Sequence, residues 1–177
     1  MVNPFLNKTN AICVLYFIIY LLYFAETSGG QSMGLFNFSK KPTAAQKKEI
    51  EACLSRSRTC CKKIETQDSI DGYFTEWDKY MAEQKILEMY EDQRISFTVS
   101  PRKIHSMICK EIPRVEKETI MRSYDRMQRD AAKLATDSGK RKKAERYFAE
   151  LEYYYPRLKP ESVSLIEELK SNCSLLN

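Results

Sequence analysis

One histidine (His105), one tryptophan (Trp77) and five glycines are all this 177-residue chain has of those three residues. A single His leaves no H-E-x-x-H zinc helix and only one candidate for His-assisted nucleophilic catalysis, and no G-x-S-x-G elbow accompanies it. With so little glycine there is no glycine-rich phosphate loop. Adjacent carboxylates occur as Glu91-Asp92 and Glu167-Glu168, at expected helix ends where solvation accounts for them. No catalytic residue and no cofactor is therefore assigned, and a non-enzymatic role is expected. The shortage of glycine beside 30% charged residues also favours helices over sheet.

The six cysteines are Cys13, Cys53, Cys60, Cys61, Cys109 and Cys173. Beyond Met33 five remain, an odd number that fits reduced thiols better than a disulfide framework. His105 and Cys109, four apart, would share a helix face and pair with Cys60 and Cys61 in a zinc site. Zinc motifs use C-x₂₋₄-C pairs, however, and Cys60-Cys61 is adjacent. The reading favoured is a surface His with buried, inert thiols, and no metal.

Long apolar runs are missing except for one, Ala11–Ala25, which carries no charge. It is shorter than the roughly 20 residues of a spanning helix and sits at the upper end of signal-peptide length. Lys40, Lys41, Lys47 and Lys48 follow it, which would hold the rest of the chain on the cytoplasmic side of a membrane. Three readings stay open: a membrane anchor, a cleaved signal, and translation that begins at Met33. The third is favoured. Ser28-Gly29-Gly30 can be encoded TCA-GGA-GGA, which contains the bacterial ribosome-binding sequence AGGAGG, two codons ahead of Met33. Residues 1–32 are then not part of the working protein, and a membrane is a partner only if residues 11–25 are translated.

Net charge is +5, and it is uneven. Residues 33–100 are balanced, residues 101–160 carry 16 basic and 9 acidic groups, and the tail is net acidic. Residues 33–42 form a short apolar-basic lead whose Leu35, Phe36 and Phe38 are expected to dock on the body of the protein. Residues 43–172 are expected to form a single helical domain, with 173–177 as a tail.

The pattern predicts five to six amphipathic helices in a compact all-α bundle. Thr43 and Gln46 form a capping box ahead of a first helix with Ile50, Leu54, Ser57, Cys61 and Ile64 as its seam. Asp68 or Ser69 caps a second, whose stripe is Ile70, Phe74, Trp77, Met81 and Leu87, with Tyr73, Tyr80 and Tyr90 alongside. Alternation at Ile95, Phe97 and Val99 predicts an extended segment over 94–99. Ser100-Pro101 starts a short third helix that Pro113 ends. A fourth follows, with Ile120, Tyr124, Met127, Ala131 and Leu134 buried and Ser138-Gly139 as its C-cap. A fifth carries Ala144, Tyr147, Phe148, Leu151 and Tyr155 to Pro156. A sixth opens at Pro160, with Val163, Ile166 and Leu169.

Two features offer contact surfaces. Arg122, Arg126, Arg129 and Lys133 form a stripe opposite the apolar face of the fourth helix, and Lys140, Arg141, Lys142 and Lys143 follow it. Together they are a candidate anion or nucleic-acid contact that would grip phosphates without reading bases. Asp125 and Asp130 lie four residues from Arg129 and Arg126, so a self-paired, solvated face is the competing reading. Tyr153, Tyr154 and Tyr155 are a candidate protein contact.

The motifs Met33-Gly34-Leu35-Phe36, Met121-Arg122-Ser123-Tyr124, Lys133-Leu134-Ala135-Thr136-Asp137-Ser138-Gly139-Lys140, Phe148-Ala149-Glu150-Leu151 and Leu158-Lys159-Pro160-Glu161-Ser162 resemble those of small all-helical proteins of Firmicutes that begin M-G-L-F. The likeness lies mainly in residues 115–170. It implies an all-helical fold and a cytoplasmic bacterial home, and no reaction. The expected role is an interaction or adaptor domain with a protein partner. Sequence-independent nucleic-acid binding and a membrane-tethered domain are the alternatives.

Overall fold

A computed structural model describes residues 40–176, and they are all-α. The helices are α1 (Ala44–Thr66), α2 (Ile70–Asp92), α3 (Pro101–Ala132), α4 (Asp137–Tyr153) and α5 (Pro160–Ser171), with a 3₁₀ turn at Tyr155–Arg157 between the last two. The apolar run Ala11–Ala25, the Met33 start, Cys13 and the docking residues Leu35, Phe36 and Phe38 lie outside the described residues. Among the described residues no helix is long and apolar enough to cross a membrane.

Local chemistry sets the helix starts. The Thr43 backbone N–H donates to Gln46 Oε1 at 2.9 Å, and the Gln46 N–H donates to Thr43 Oγ1 at 3.3 Å, the reciprocal capping box. Ser69, of the two candidates, caps α2 by accepting from the Gly72 N–H at 3.1 Å. Ser100 caps α3 through the Lys103 N–H.

Packing divides the chain into two compact units. Of the described residues, the first takes those up to Glu65 together with Thr75–Glu111. Its buried side chains are Ile50, Cys53, Leu54, Cys60, Cys61 and Ile64 of α1, Tyr80, Leu87 and Tyr90 of α2, Ile95, and Ile104 and Ile108 of α3. The second takes Thr66–Phe74 and Ile112–Asn177. Ile70, Tyr73 and Phe74 are buried there, with Val115, Ile120, Tyr124 and Met127 of α3, Phe148 and Leu151 of α4, and Ile166 and Cys173.

Four local expectations are corrected. Pro113 does not end a helix; it lies inside α3. Proline removes the N–H that would bond the Cys109 carbonyl. Buried Ile104, Ile108, Ile112, Val115 and Thr119 nevertheless keep one helical phase through it, so burial outweighs the lost bond. Ser138-Gly139 does not close a helix but opens one: Thr136 is the N-cap of α4 and accepts from the Gly139 N–H at 3.1 Å. Leu134 therefore falls beyond α3 and is exposed rather than part of the stripe. On α2, Tyr73, Tyr80 and Tyr90 are buried while Trp77 and Met81 are only half-buried. Each phenol tip has a partner there, Glu116, His105 and Glu49 respectively, so burial leaves no hydroxyl stranded.

The end of α2 is a Schellman turn. Arg94 adopts φ 60° and its N–H bonds the Glu91 carbonyl, while the Ile95 N–H bonds the Tyr90 carbonyl. The expected extended segment then finds a partner in Lys40, through Lys40 N–H to the Arg94 carbonyl and Ser96 N–H to the Lys40 carbonyl. A single bridge forms there, not a sheet strand.

Candidate interaction surfaces

The basic stripe of α3 and the cluster that opens α4 lie in the second unit. Most of their charge is already answered. Arg122 lies down on the protein, its Nε donating to the Gln67 carbonyl at 2.9 Å and its Nη2 to Thr119 Oγ1. Arg126 pairs with Asp68 at 2.9 Å. Asp130 takes both Lys133 at 3.1 Å and Lys143 at 3.7 Å, and the hydrogen bond from Lys133 holds its carboxyl below the usual range. Lys140 pairs with Asp137 and Arg141 with Glu145, each at 3.0 Å. Of the eight predicted contacts, Arg129 and Lys142 are exposed and have no ion-pair partner among the described residues.

Arg126 and Lys143 also line a cleft of about 350 Å³ in this unit, with Arg146 as a third cation. Asp68, Asp130 and Glu150 line it too, so its charges balance. Tyr147 lines it as well, its phenol 2.8 Å from Ser123 Oγ and donating to the Ile120 carbonyl at 3.2 Å. Burial pushes that phenol far above its ordinary pKa, which leaves it a neutral donor. Sequence reading missed Arg146. The signal was there, because Lys143, Arg146, Tyr147 and Glu150 recur at helical spacing along one face of α4. A polyanion entering this cleft would meet carboxylates as often as cations.

The three tyrosines at the end of α4 have separate fates. Tyr153 is 78% exposed. Tyr154 stacks on Phe74 with ring centroids 5.0 Å apart, and its hydroxyl donates to Asp71 at 2.5 Å. That hydrogen bond is the main reason its phenol is pushed up to about 12. Tyr155 turns to Glu167, donating at 2.5 Å. Tyr153 meets Tyr154 edge-on at 5.1 Å and 87°. The Arg157 guanidinium lies 4.2 Å from the centre of the Phe74 ring. The outcome is an aromatic platform, Tyr153 on Tyr154 on Phe74, with a guanidinium beside it. Phe74 and Arg157 were not foreseen as members, since 79 residues separate Phe74 from Tyr153.

His105, Cys109, Cys60 and Cys61, which were weighed as zinc ligands and set aside, are not gathered into one metal-binding group. Among the described residues no group of three His, Cys, Asp or Glu side chains is placed to hold a metal. Cys60 and Cys61 are both buried, whereas His105 and Cys109 are only half-buried and in contact. For Cys109 this corrects the expectation of a buried thiol. It follows His105 by one helical turn on a face of α3 that is not wholly covered.

No known protein family matches this chain, and neither does any curated protein or any solved structure.

Proposed function

We propose that this chain is a bacterial, cytoplasmic interaction module, non-enzymatic, which binds a protein partner through the Tyr153 platform. The observation that carries this reading is the combination of exposure and support at Tyr153. An aromatic ring that is 78% exposed would ordinarily be mobile. Here its neighbour Tyr154 is held by a stack on Phe74 and a hydrogen bond to Asp71. Ordering the ring on binding therefore costs less conformational entropy, and Tyr beside Arg is the composition of interface hot spots. The partner this surface suits has an apolar pocket for the ring.

The second reading, sequence-independent nucleic-acid binding, draws on Arg129, Lys142 and the net positive charge of residues 101–160. Ion pairing of Arg126, Lys133, Lys140, Arg141 and Lys143 weakens it, since each would exchange a carboxylate for a phosphate with little gain. A photo-crosslinking residue at position 153, with position 62 as an exposed control, separates the readings. The interaction reading expects one protein adduct at 153 that is absent at 62. Equal adducts at both positions, together with salt-sensitive DNA or RNA binding at low ionic strength, would favour the second reading.

A further inference from the structure

We infer that the cleft of the second unit binds a free α-amino acid with an aliphatic side chain, its ammonium on Glu150 and its carboxylate on Arg146. The cleft, about 350 Å³, is lined by α3, α4 and the start of α2, all within that unit, and it does not include Tyr153 or Tyr154. Its volume falls at the small end of ligand pockets, which run from roughly 300 to 1,000 Å³. A small molecule therefore fits where a polyanion does not.

The charges select the ligand. Three cations and three carboxylates line the cleft. Arg126 and Asp68 answer each other at 2.9 Å. Asp130 holds Lys143 at 3.7 Å and Lys133 at 3.1 Å. Arg146 and Glu150 are left over: both are exposed, and neither has an ion-pair partner among the described residues. They stand four apart on α4, within reach of each other, but in the weaker order with the cation N-terminal to the carboxylate. One unanswered positive group and one unanswered negative group on the same helix face match a zwitterion. An anion or a cation alone would leave one of them unanswered.

The hydroxyls point the same way. Ser123 and Tyr147 line the cleft, their oxygens 2.8 Å apart, and they share the Ile120 carbonyl at 2.8 Å and 3.2 Å. Two hydroxyl protons serve these three contacts, so no proton is left over for a ligand whichever hydroxyl donates to the carbonyl. What remains is lone pairs, which suit an ammonium and not a carboxylate. The apolar part of the lining is Ile70, Met127 and Leu151, all buried. Those alkyl and thioether surfaces take up an aliphatic side chain.

The test titrates the full chain with L-leucine and follows the methyl NMR signals of Ile70, Met127 and Leu151. Saturable shifts at all three are expected with leucine up to about 10 mM. N-acetylleucine, which lacks the ammonium, and leucinamide, which lacks the carboxylate, should each bind at least about five-fold more weakly. Arg146→Gln should erase the preference over leucinamide and keep the preference over N-acetylleucine, and Glu150→Gln should do the reverse. Both positions are exposed, so circular dichroism should show the helices intact in each variant. Absence of saturable shifts with leucine, isoleucine, valine and methionine would overturn the inference. So would leucine binding no tighter than that of either derivative, or folded variants that keep both preferences.

Discussion

Replacing Glu116 by Ala removes a buried carboxylate that works as a helix cap supplied from another helix. Glu116 is 2% exposed. Its Oε2 accepts the Lys159 backbone N–H at 3.0 Å and the Ser162 hydroxyl at 2.9 Å, and its Oε1 accepts Tyr73 at 3.3 Å. Lys159 is the N-cap of α5 and its own side chain makes no capping bond. The carboxylate also faces the positive end of the α5 dipole. Two well-formed hydrogen bonds to a charged acceptor contribute roughly 1.5–3 kcal/mol each, and relief of carboxylate desolvation offsets part of that. The expected loss is about 2–4 kcal/mol, with Glu116→Gln intermediate because its amide oxygen can take the place of Oε2 toward Lys159 and Ser162 while the charge is lost and its NH2 faces the Tyr73 hydroxyl. Urea unfolding gives the total. Hydrogen exchange over Pro160–Ser171 localises it, with protection falling roughly 30-fold or more for 2 kcal/mol. A loss below about 0.5 kcal/mol, the size expected of an exposed substitution, would refute the capping role.

Three further outcomes are expected. Arg94→Gly should stabilise the chain by about 0.5–1 kcal/mol in urea unfolding, since Arg94 holds φ 60° where glycine is unstrained; a destabilised variant would contradict this. Cys53 keeps its proton in the folded chain up to about pH 11, chiefly because it is buried, whereas the unfolded thiol releases its proton from about pH 9. The folded state therefore binds more protons in that window, and stability should fall as pH rises from about 9 to about 11 more steeply in wild type than in Cys53→Ala. Parallel slopes would remove the assignment. A double-mutant cycle on Asp68 and Arg126, both half-exposed, should return no more than about 1 kcal/mol; a coupling above about 2 kcal/mol would mean the cleft is better shielded from solvent than its exposure implies.

What the sequence disclosed and what it hid follow a physical divide. Starts governed by adjacent residues were legible: the Thr43–Gln46 box, the Ser69 cap and the Ser100-Pro101 entry all depend on contacts within a few positions. Pro113 misled because its local penalty is set against the burial of Ile108, Ile112 and Val115, which no local rule weighs. Thr136 and Ser138-Gly139 misled differently. A Ser-Gly pair serves either helix end, and the Thr136 hydroxyl three residues before Gly139 decides between them. Buried Tyr73, Tyr80 and Tyr90 were set beside the stripe because tyrosine reads as interfacial until its hydroxyl partner is known. The basic residues were visible from spacing. The pairing of Arg126 with Asp68 was not, because 58 residues separate the two. Phe74 and Arg157 joined the Tyr153 platform for the same reason, through contacts far apart in the chain.

The central claim is that the working surface is aromatic, not electrostatic. Once the protein crosslinked at position 153 is purified, its dissociation constant can be measured for wild type, Tyr153→Ala and the charge-reversed pair Arg129→Glu with Lys142→Glu. Loss of a supported, exposed tyrosine at an interface centre predicts at least about ten-fold weaker binding for Tyr153→Ala, with the charge-reversed chain within about three-fold of wild type. The opposite ranking, with Tyr153→Ala unchanged and the reversal weakening binding ten-fold or more, would contradict the account.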